Sequence, residues 1–93
     1  MIMWIDDSNA RLLAFNALEG ELNYQVEKWS EHRHSNAEFA VFIEEYLNDL
    51  KELVTKSDSN DPEVKRKEAD IMRKVTALGV AAMIENGIAK RGM

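Results

Sequence analysis

Residues 28–53, KWSEHRHSNAEFAVFIEEYLNDLKEL, contain the clearest helix start and the clearest apolar stripe of the chain. In the segment 35–38 the Ser35 hydroxyl is expected to accept from the Glu38 N–H, while the Glu38 carboxylate reaches back to the start of the helix. This arrangement is a capping box. The apolar stripe that follows consists of Phe39, Phe42, Ile43, Tyr46, Leu50, Leu53 and Val54. Its spacing predicts an amphipathic helix over residues 36–55 that faces a core.

Two further helices are predicted on either side of this one. The first spans about residues 9–29, with Ser8 as its N-cap. Its apolar stripe consists of Leu12, Phe15, Leu18, Leu22, Val26 and Trp29. The third spans residues 62–86, beginning at Asp61-Pro62 and ending at Asn86-Gly87, which are good start and stop signals. Beyond Val75 this helix is apolar nearly all round.

Ninety-three residues make one domain, residues 1–93. The pattern predicts an all-α fold, a small antiparallel bundle of three main helices. In a chain of this size the first two helices cannot easily cover all sides of the apolar second half of the third helix. We therefore expect a second copy of the chain to supply the missing cover, which makes a homo-oligomer (dimer or higher) the expected state.

Composition limits the classes of partner. The net charge of -5 argues against a nucleic acid, whose phosphates would repel the chain. The absence of cysteine excludes disulfides and thiolate metal sites, and it favours a cytoplasmic location. The start MIMWIDD is too short and too acidic for a signal peptide, and the longest apolar run, residues 77–84, is too short to span a membrane.

Carboxylates on the second and third helices are candidate metal ligands. Glu45 and Asp49 lie one turn apart, so both can reach one hard cation, although an acidic strip is also typical of a solvated helix face. Glu68 lies on the inward stripe of the third helix. A carboxylate there must be protonated, bound to metal or paired with a lysine or arginine, because burial of a bare charge is costly.

Basic residues near these acids are candidate phosphate ligands. Arg33 precedes the start of the second helix, where an anion is favoured by the helix dipole, and it lies between His32 and His34. Arg73 and Lys74 belong to a basic stretch of the third helix that can neutralise a polyphosphate. The alternative is that these cations are solvated or pair with acids of the same chain, such as Asp70.

Three segments together resemble a group of small all-α proteins from phages and prophages. They are KWSEHRHS at residues 28–35, EFAVFIEEYLNDLKEL at residues 38–53 and IMRKVTALGVAAMIENGIAKR at residues 71–91. The resemblance covers roughly residues 29–91. This group is in turn similar, distantly, to the MazG-type all-α nucleotide pyrophosphohydrolases. If the chain is phage-encoded, its expected location is the cytoplasm of a bacterial host.

The MazG-type resemblance implies a Mg²⁺ site built from Glu-Glu-x-x-Glu on one helix and Glu-x-x-Asp on a later one. The metal bridges the phosphates while water attacks and pyrophosphate leaves. Two acids of this pattern are displaced, because Asn48 and Lys67 stand where acids are expected, each beside an acid. A displacement by one residue turns a side chain by about 100° around a helix, so each displaced acid points in a different direction from the acid of the family pattern. The implied metal ligands are Glu44, Glu45, Asp49, Glu68 and Asp70, and the implied phosphate ligands are Arg33, Arg73 and Lys74.

Two functions follow as expectations. The first is a Mg²⁺-dependent nucleoside triphosphate pyrophosphohydrolase with a degenerate acid motif. The second is a non-catalytic phage accessory protein that binds a partner protein or a nucleotide through a helical oligomer. A structural homo-oligomer, in which the third helix is simply the subunit interface, is the third possibility. The sequence does not decide whether the chain is an enzyme.

Overall fold

The computed structural model of the chain describes residues 6–29 and 33–92. They form three α-helices, α1 (Ser8–Trp29), α2 (Asn36–Lys56) and α3 (Pro62–Asn86), and no strand occurs within these ranges. The prediction of an all-α fold with three helices is confirmed. The expectations for His32 and for the Trp29 side chain lie outside what is described. None of the three helices combines the length and apolarity needed to cross a membrane.

The start of α2 is capped as its sequence predicts. The Glu38 N–H donates to the Ser35 hydroxyl at 3.2 Å, and the Ser35 N–H donates to the Glu38 carboxylate at 3.0 Å. At the start of α3 the Asp61 carboxylate accepts from the Glu63 N–H at 2.9 Å, with proline in the first turn. These local bonds satisfy backbone N–H groups that have no partner inside the helix.

The start of α1 differs from its prediction by one residue. Asp7, rather than Ser8, is the N-cap, because its carboxylate accepts from the Asn9 N–H at 2.9 Å and from the Ala10 N–H at 3.1 Å. Ser8 is already the first helical residue. A carboxylate at this position satisfies the free N–H groups and is also favoured by the positive end of the helix dipole.

Helix α3 is central to the arrangement. Both α1 and α2 pack against it, whereas α1 and α2 do not pack against each other within the described part of the chain. The fully buried apolar side chains of that part are Phe39, Ala77 and Leu78. The core is therefore small and is divided between the two sides of α3.

The end of α3 is tied to the segment that precedes α2. The His34 N–H donates to the Glu85 carboxylate at 3.0 Å, and the Asn86 side-chain amide donates to the His34 carbonyl at 3.0 Å. The His34 ring meets the rings of Phe39 and Phe42 edge-on, with centroids 5.7 and 5.4 Å apart. These contacts give His34 a local packing role at the entrance of α2.

The face that α1 turns toward α3 keeps only Leu18 and Leu22 of the predicted apolar stripe. Its least exposed residues are Leu18, Glu21, Leu22 and Gln25. The predicted members Leu12, Phe15 and Val26 are exposed, so the stripe was wrong for them. The reason lies in α3, where Arg73 forms an ion pair with Glu21 and thereby brings a polar face of α1 inward.

The chain is open for its size. A folded monomer of this mass is expected to expose about 5,500 Å² of surface, whereas this chain exposes 7632 Å². Its radius of gyration is 15.0 Å, compared with about 12 Å for a compact domain of this length. The chain therefore covers less of its own surface than a compact domain of this mass does.

Candidate functional site

A cleft of about 320 Å³ lies between α2 and α3. Its lining residues are Asp49 and Leu53 from α2 and Arg66, Lys67, Asp70 and Ile71 from α3. Two of the predicted metal ligands, Asp49 and Asp70, thus line one cavity although they come from different helices. Two cations stand beside them, so the lining is balanced in formal charge.

The Asp70 carboxylate is already engaged within its own helix. It accepts from the Arg73 guanidinium and from the Lys74 ammonium, the latter at 3.1 Å. Hydrogen bonding to Lys74, and then to Arg73, holds the pKa of Asp70 below its usual range. The carboxylate is therefore ionised at neutral pH, and a metal ion would have to compete with two cations for its oxygens.

The other predicted metal ligands do not join this pair. Glu44 and Glu45 are exposed on α2. Glu68 is partly buried and accepts a hydrogen bond from the Ser59 hydroxyl at 3.0 Å, which ties the preceding turn to α3. Among the described residues no group of three or more histidines and carboxylates is placed to hold a metal ion.

The predicted phosphate ligands fall into two groups. Arg33 is exposed just before α2. Arg73 and Lys74 face acids of the same chain: the Arg73 guanidinium donates to Glu21 at 2.8 Å and also to Asp70, while Lys74 pairs with Asp70. These contacts raise the pKa of Arg73, chiefly through Glu21, and that of Lys74, chiefly through Asp70.

A second cavity, which we call the interhelical pocket, lies over α3 between α1 and α2. It has a volume of about 90 Å³. Its lining residues are Glu21, Tyr24, Gln25, Lys28, Tyr46, Lys74 and Leu78. All three helices contribute, and four of the seven residues come from α1.

Gln25 is the unusual residue of the interhelical pocket. It is 8% exposed, and its side-chain oxygen Oε1 is buried without a hydrogen-bond donor. Buried polar atoms are nearly always paired, so an unpaired amide oxygen beside a cavity calls for an explanation. Sequence reasoning missed Gln25. The available signal was its place three residues after Leu22 and seven after Leu18, on one face of α1.

Sequence reasoning also did not single out Glu21, which forms the ion pair to α3. Its neighbour Glu19 is exposed. The structure thus offers two small polar cavities, one with two carboxylates and one with an unpaired amide.

No protein family model, curated protein or solved structure matches the chain. Function is therefore inferred from the geometry of its residues.

Proposed function

We propose that the chain is a non-catalytic helical accessory protein, of the phage type that its sequence resembles, which works as a homo-oligomer and engages its partner protein in that state. The observation that carries this proposal is the large uncovered apolar surface. Only three apolar side chains of the described part are fully buried, while Leu13 and Phe15 are 70% and 65% exposed. Exposed apolar surface on this scale marks an interaction site.

The area fits a second copy of the chain as the first occupant. The surface exceeds that expected of a monomer by roughly 2,100 Å². A standard protein interface covers about 800 Å² on each partner, and permanent homodimers cover more. The excess is therefore sufficient for a permanent self-interface and leaves area for a further partner.

One strip of α1 supplies the centre of this interface. Leu12, Phe15 and Val26 fall within about 60° of one another around the helix and extend over about 20 Å of its length. We call these three residues the α1 strip. The same strip on a second copy is self-complementary about a two-fold axis, as a closed dimer requires.

Helix α3 supplies a second uncovered area. Met72 and Met83, eleven residues and therefore three turns apart, are both exposed on one side of it. Methionine side chains adapt to irregular surfaces and are common where one surface meets several partners. We assign this side of α3 to the partner protein or to a further copy.

The pairing of α2 with α3 gives this oligomer its rigid part. Residues before α2 contact the end of α3, and Tyr46 in the middle of α2 lies beside Lys74 in the middle of α3. We infer from these contacts that the two helices run antiparallel. Within the described residues α1 packs on this pair through α3 alone, and we infer that α1 is the element that a second copy stabilises.

Sedimentation velocity over a range of protein concentrations tests the proposal. We expect a dimer or a larger oligomer at micromolar concentration, with no monomer above the dissociation constant. A folded monomer at every concentration would contradict it. Far-ultraviolet circular dichroism of the same samples verifies that the protein is folded.

A Mg²⁺-dependent nucleotide pyrophosphohydrolase is the second candidate, because Asp49 and Asp70 line one cleft beside two cations. In this role the two carboxylates would hold the metal, and Arg66 or Lys67 would contact the phosphates. Displacement of the cations from Asp70 is the step that metal binding requires. Pyrophosphate release from a panel of nucleoside triphosphates with Mg²⁺ tests this candidate.

Asp49→Asn is the informative variant for this assay, and Asp58→Asn, which lies outside the cleft, is its matched control. An enzyme working in this cleft loses its activity in the first variant and keeps it in the second. If folded protein releases no pyrophosphate from any nucleoside triphosphate of the panel, the pyrophosphohydrolase is excluded. The accessory role is not affected by that result.

A further inference from the structure

The interhelical pocket has the features of a binding site that neither proposed function uses. Its lining includes Leu78, which is fully buried, and two aromatic residues, Tyr24 and Tyr46. It occupies the gap that remains because α1 and α2 each pack on α3 without packing on each other. The pocket is thus a consequence of the fold and does not depend on a surface loop.

Gln25 supplies the hydrogen-bonding requirement of the occupant. Its Oε1 atom lacks a donor, and leaving a buried acceptor unpaired costs about 1–3 kcal/mol. Gln25 also lines the pocket, so we assign its unpaired oxygen as the acceptor that an occupant satisfies. The occupant therefore has an O–H or N–H group to donate.

Two lysines determine the charge of the occupant. The Lys28 ammonium lies 5.8 Å from the centre of the Tyr24 ring and makes no ion pair within the described residues. The Lys74 ammonium lies 5.7 Å from the centre of the Tyr46 ring. Glu21 is neutralised by Arg73 and Lys74 by Asp70, so Lys28 is the uncompensated charge. An anion is favoured.

The size of the pocket limits the occupant to a small group. Its volume of about 90 Å³ is several times what one water needs, and it is well below the roughly 300–1,000 Å³ of pockets for larger ligands. A small anion that also carries a proton to donate at neutral pH is inorganic phosphate. A phosphate monoester keeps such a proton only below its second pKa of about 6. Sulfate has the same shape and has no proton at neutral pH.

We propose that the interhelical pocket binds a protonated oxyanion of the phosphate class, with Gln25 Oε1 accepting its P–OH group and Lys28 and Lys74 donating to its charged oxygens. Binding draws residues from all three helices around one ion, so it fastens α1 to the α2–α3 pair. This role does not depend on the oligomeric state, and it shares with the α2–α3 cleft only the ion pair between Lys74 and Asp70.

Isothermal titration calorimetry of the full chain with inorganic phosphate and with sulfate, at equal ionic strength, tests this site. We expect phosphate to bind and sulfate to bind at least about tenfold more weakly, a difference of about 1.4 kcal/mol. Equal affinity for the two anions, or no phosphate binding at millimolar concentration, would overturn the proposal. Methyl phosphate, titrated near pH 5 where it keeps its proton, distinguishes the ester from the free ion, and tighter binding of either supports the site.

Two variants locate the binding. Lys28→Met is expected to weaken phosphate binding at least about tenfold, whereas the matched control Lys51→Met, on the exposed surface of α2, leaves it unchanged. Equal weakening in both would reveal only non-specific attraction. Gln25→Leu is expected to lose the preference for phosphate over sulfate while remaining folded, because it removes the unpaired acceptor. A retained preference in this variant would contradict the role of Gln25.

Discussion

Arg73 and Glu21, 52 positions apart in the chain, form the ion pair that joins α1 to α3. The guanidinium Nε donates to the carboxylate Oε1 at 2.8 Å, and the Glu21 side chain is only 9% exposed. The same guanidinium also donates to Asp70, so a single arginine links the orientation of α1 to the charge pattern of α3.

Glu21→Gln is expected to lower the free energy of unfolding by about 1 kcal/mol. A buried hydrogen bond to a charged group contributes more than 1 kcal/mol to stability. The expected loss is smaller here because Arg73 is partly exposed and keeps Asp70 as a partner. Urea denaturation measures the loss, and amide exchange is expected to rise mainly in α1. The control is Glu19→Gln, on the exposed side of the same helix. Equal losses in both variants would show that this ion pair does not hold α1.

Asp70 makes part of the stability dependent on pH. Its pKa is lowered in the folded state by Lys74 and Arg73. Its contribution is therefore fully present above the unfolded pKa of about 4 and is lost as pH falls through the folded pKa. We expect the urea midpoint of the wild type to fall more steeply below about pH 4 than that of Asp70→Asn. Asp58→Asn, the control, should retain the wild-type slope, and a slope unchanged in both variants would contradict the assignment.

Ser35→Ala is expected to reduce stability by about 1 kcal/mol, because it removes the hydroxyl that accepts from the third N–H of α2. Ser57→Ala is the matched control, since at that end of α2 the structure uses the backbone N–H, which donates to the Leu53 carbonyl. Thermal unfolding followed by circular dichroism compares the two. A loss no greater in Ser35→Ala than in Ser57→Ala would refute the importance of the capping box.

The ends of α2 and α3 could be predicted from the sequence because they depend on local signals. The capping box at Ser35, the Asp61-Pro62 start and the stop at Gly87 act over two to four residues. Ser35 has its predicted partner Glu38, and Asp61 and Gly87 flank α3 as predicted. The orientation of α1 depends instead on a contact between residues 52 positions apart. Apolar spacing favoured Phe15 as a core residue, and nothing local indicated that Glu21 would turn inward in its place.

The candidate sites show the same division. The ion pairs of Asp70 could partly be predicted from the sequence. Arg73 and Lys74 follow it at spacings of three and four residues, which bring helical side chains together. The convergence of the predicted acids was inferred from the spacing of a family motif, and only Asp49 and Asp70 line a common cleft. The interhelical pocket requires the packing of three helices, which no single stretch of sequence encodes.

Gly20→Ala is expected to stabilise the protein by up to about 1 kcal/mol. Gly20 lies inside the continuous helix α1, and a Cβ there would meet no atom within 4 Å, so alanine gains helix propensity without a clash. Gly87→Ala is the contrasting variant, because Gly87 ends α3 with φ +134°, a conformation that alanine adopts only with strain. Chemical denaturation should therefore show a higher free energy of unfolding for Gly20→Ala and a lower one for Gly87→Ala. Destabilisation by Gly20→Ala would show that another surface covers this position.

Phe15→Glu is expected to separate the proposed oligomer into monomers. It places a charge on the α1 strip, where association would have to bury it without a partner. We expect the dissociation constant to rise at least roughly 100-fold, or about 2.8 kcal/mol, with helical content of α2 and α3 retained. Val41→Glu, at another exposed apolar site, on α2, is the control and should remain associated. Sedimentation velocity decides between them: association unchanged in Phe15→Glu means that the subunits meet elsewhere, and loss in both variants means that added charge alone disperses them.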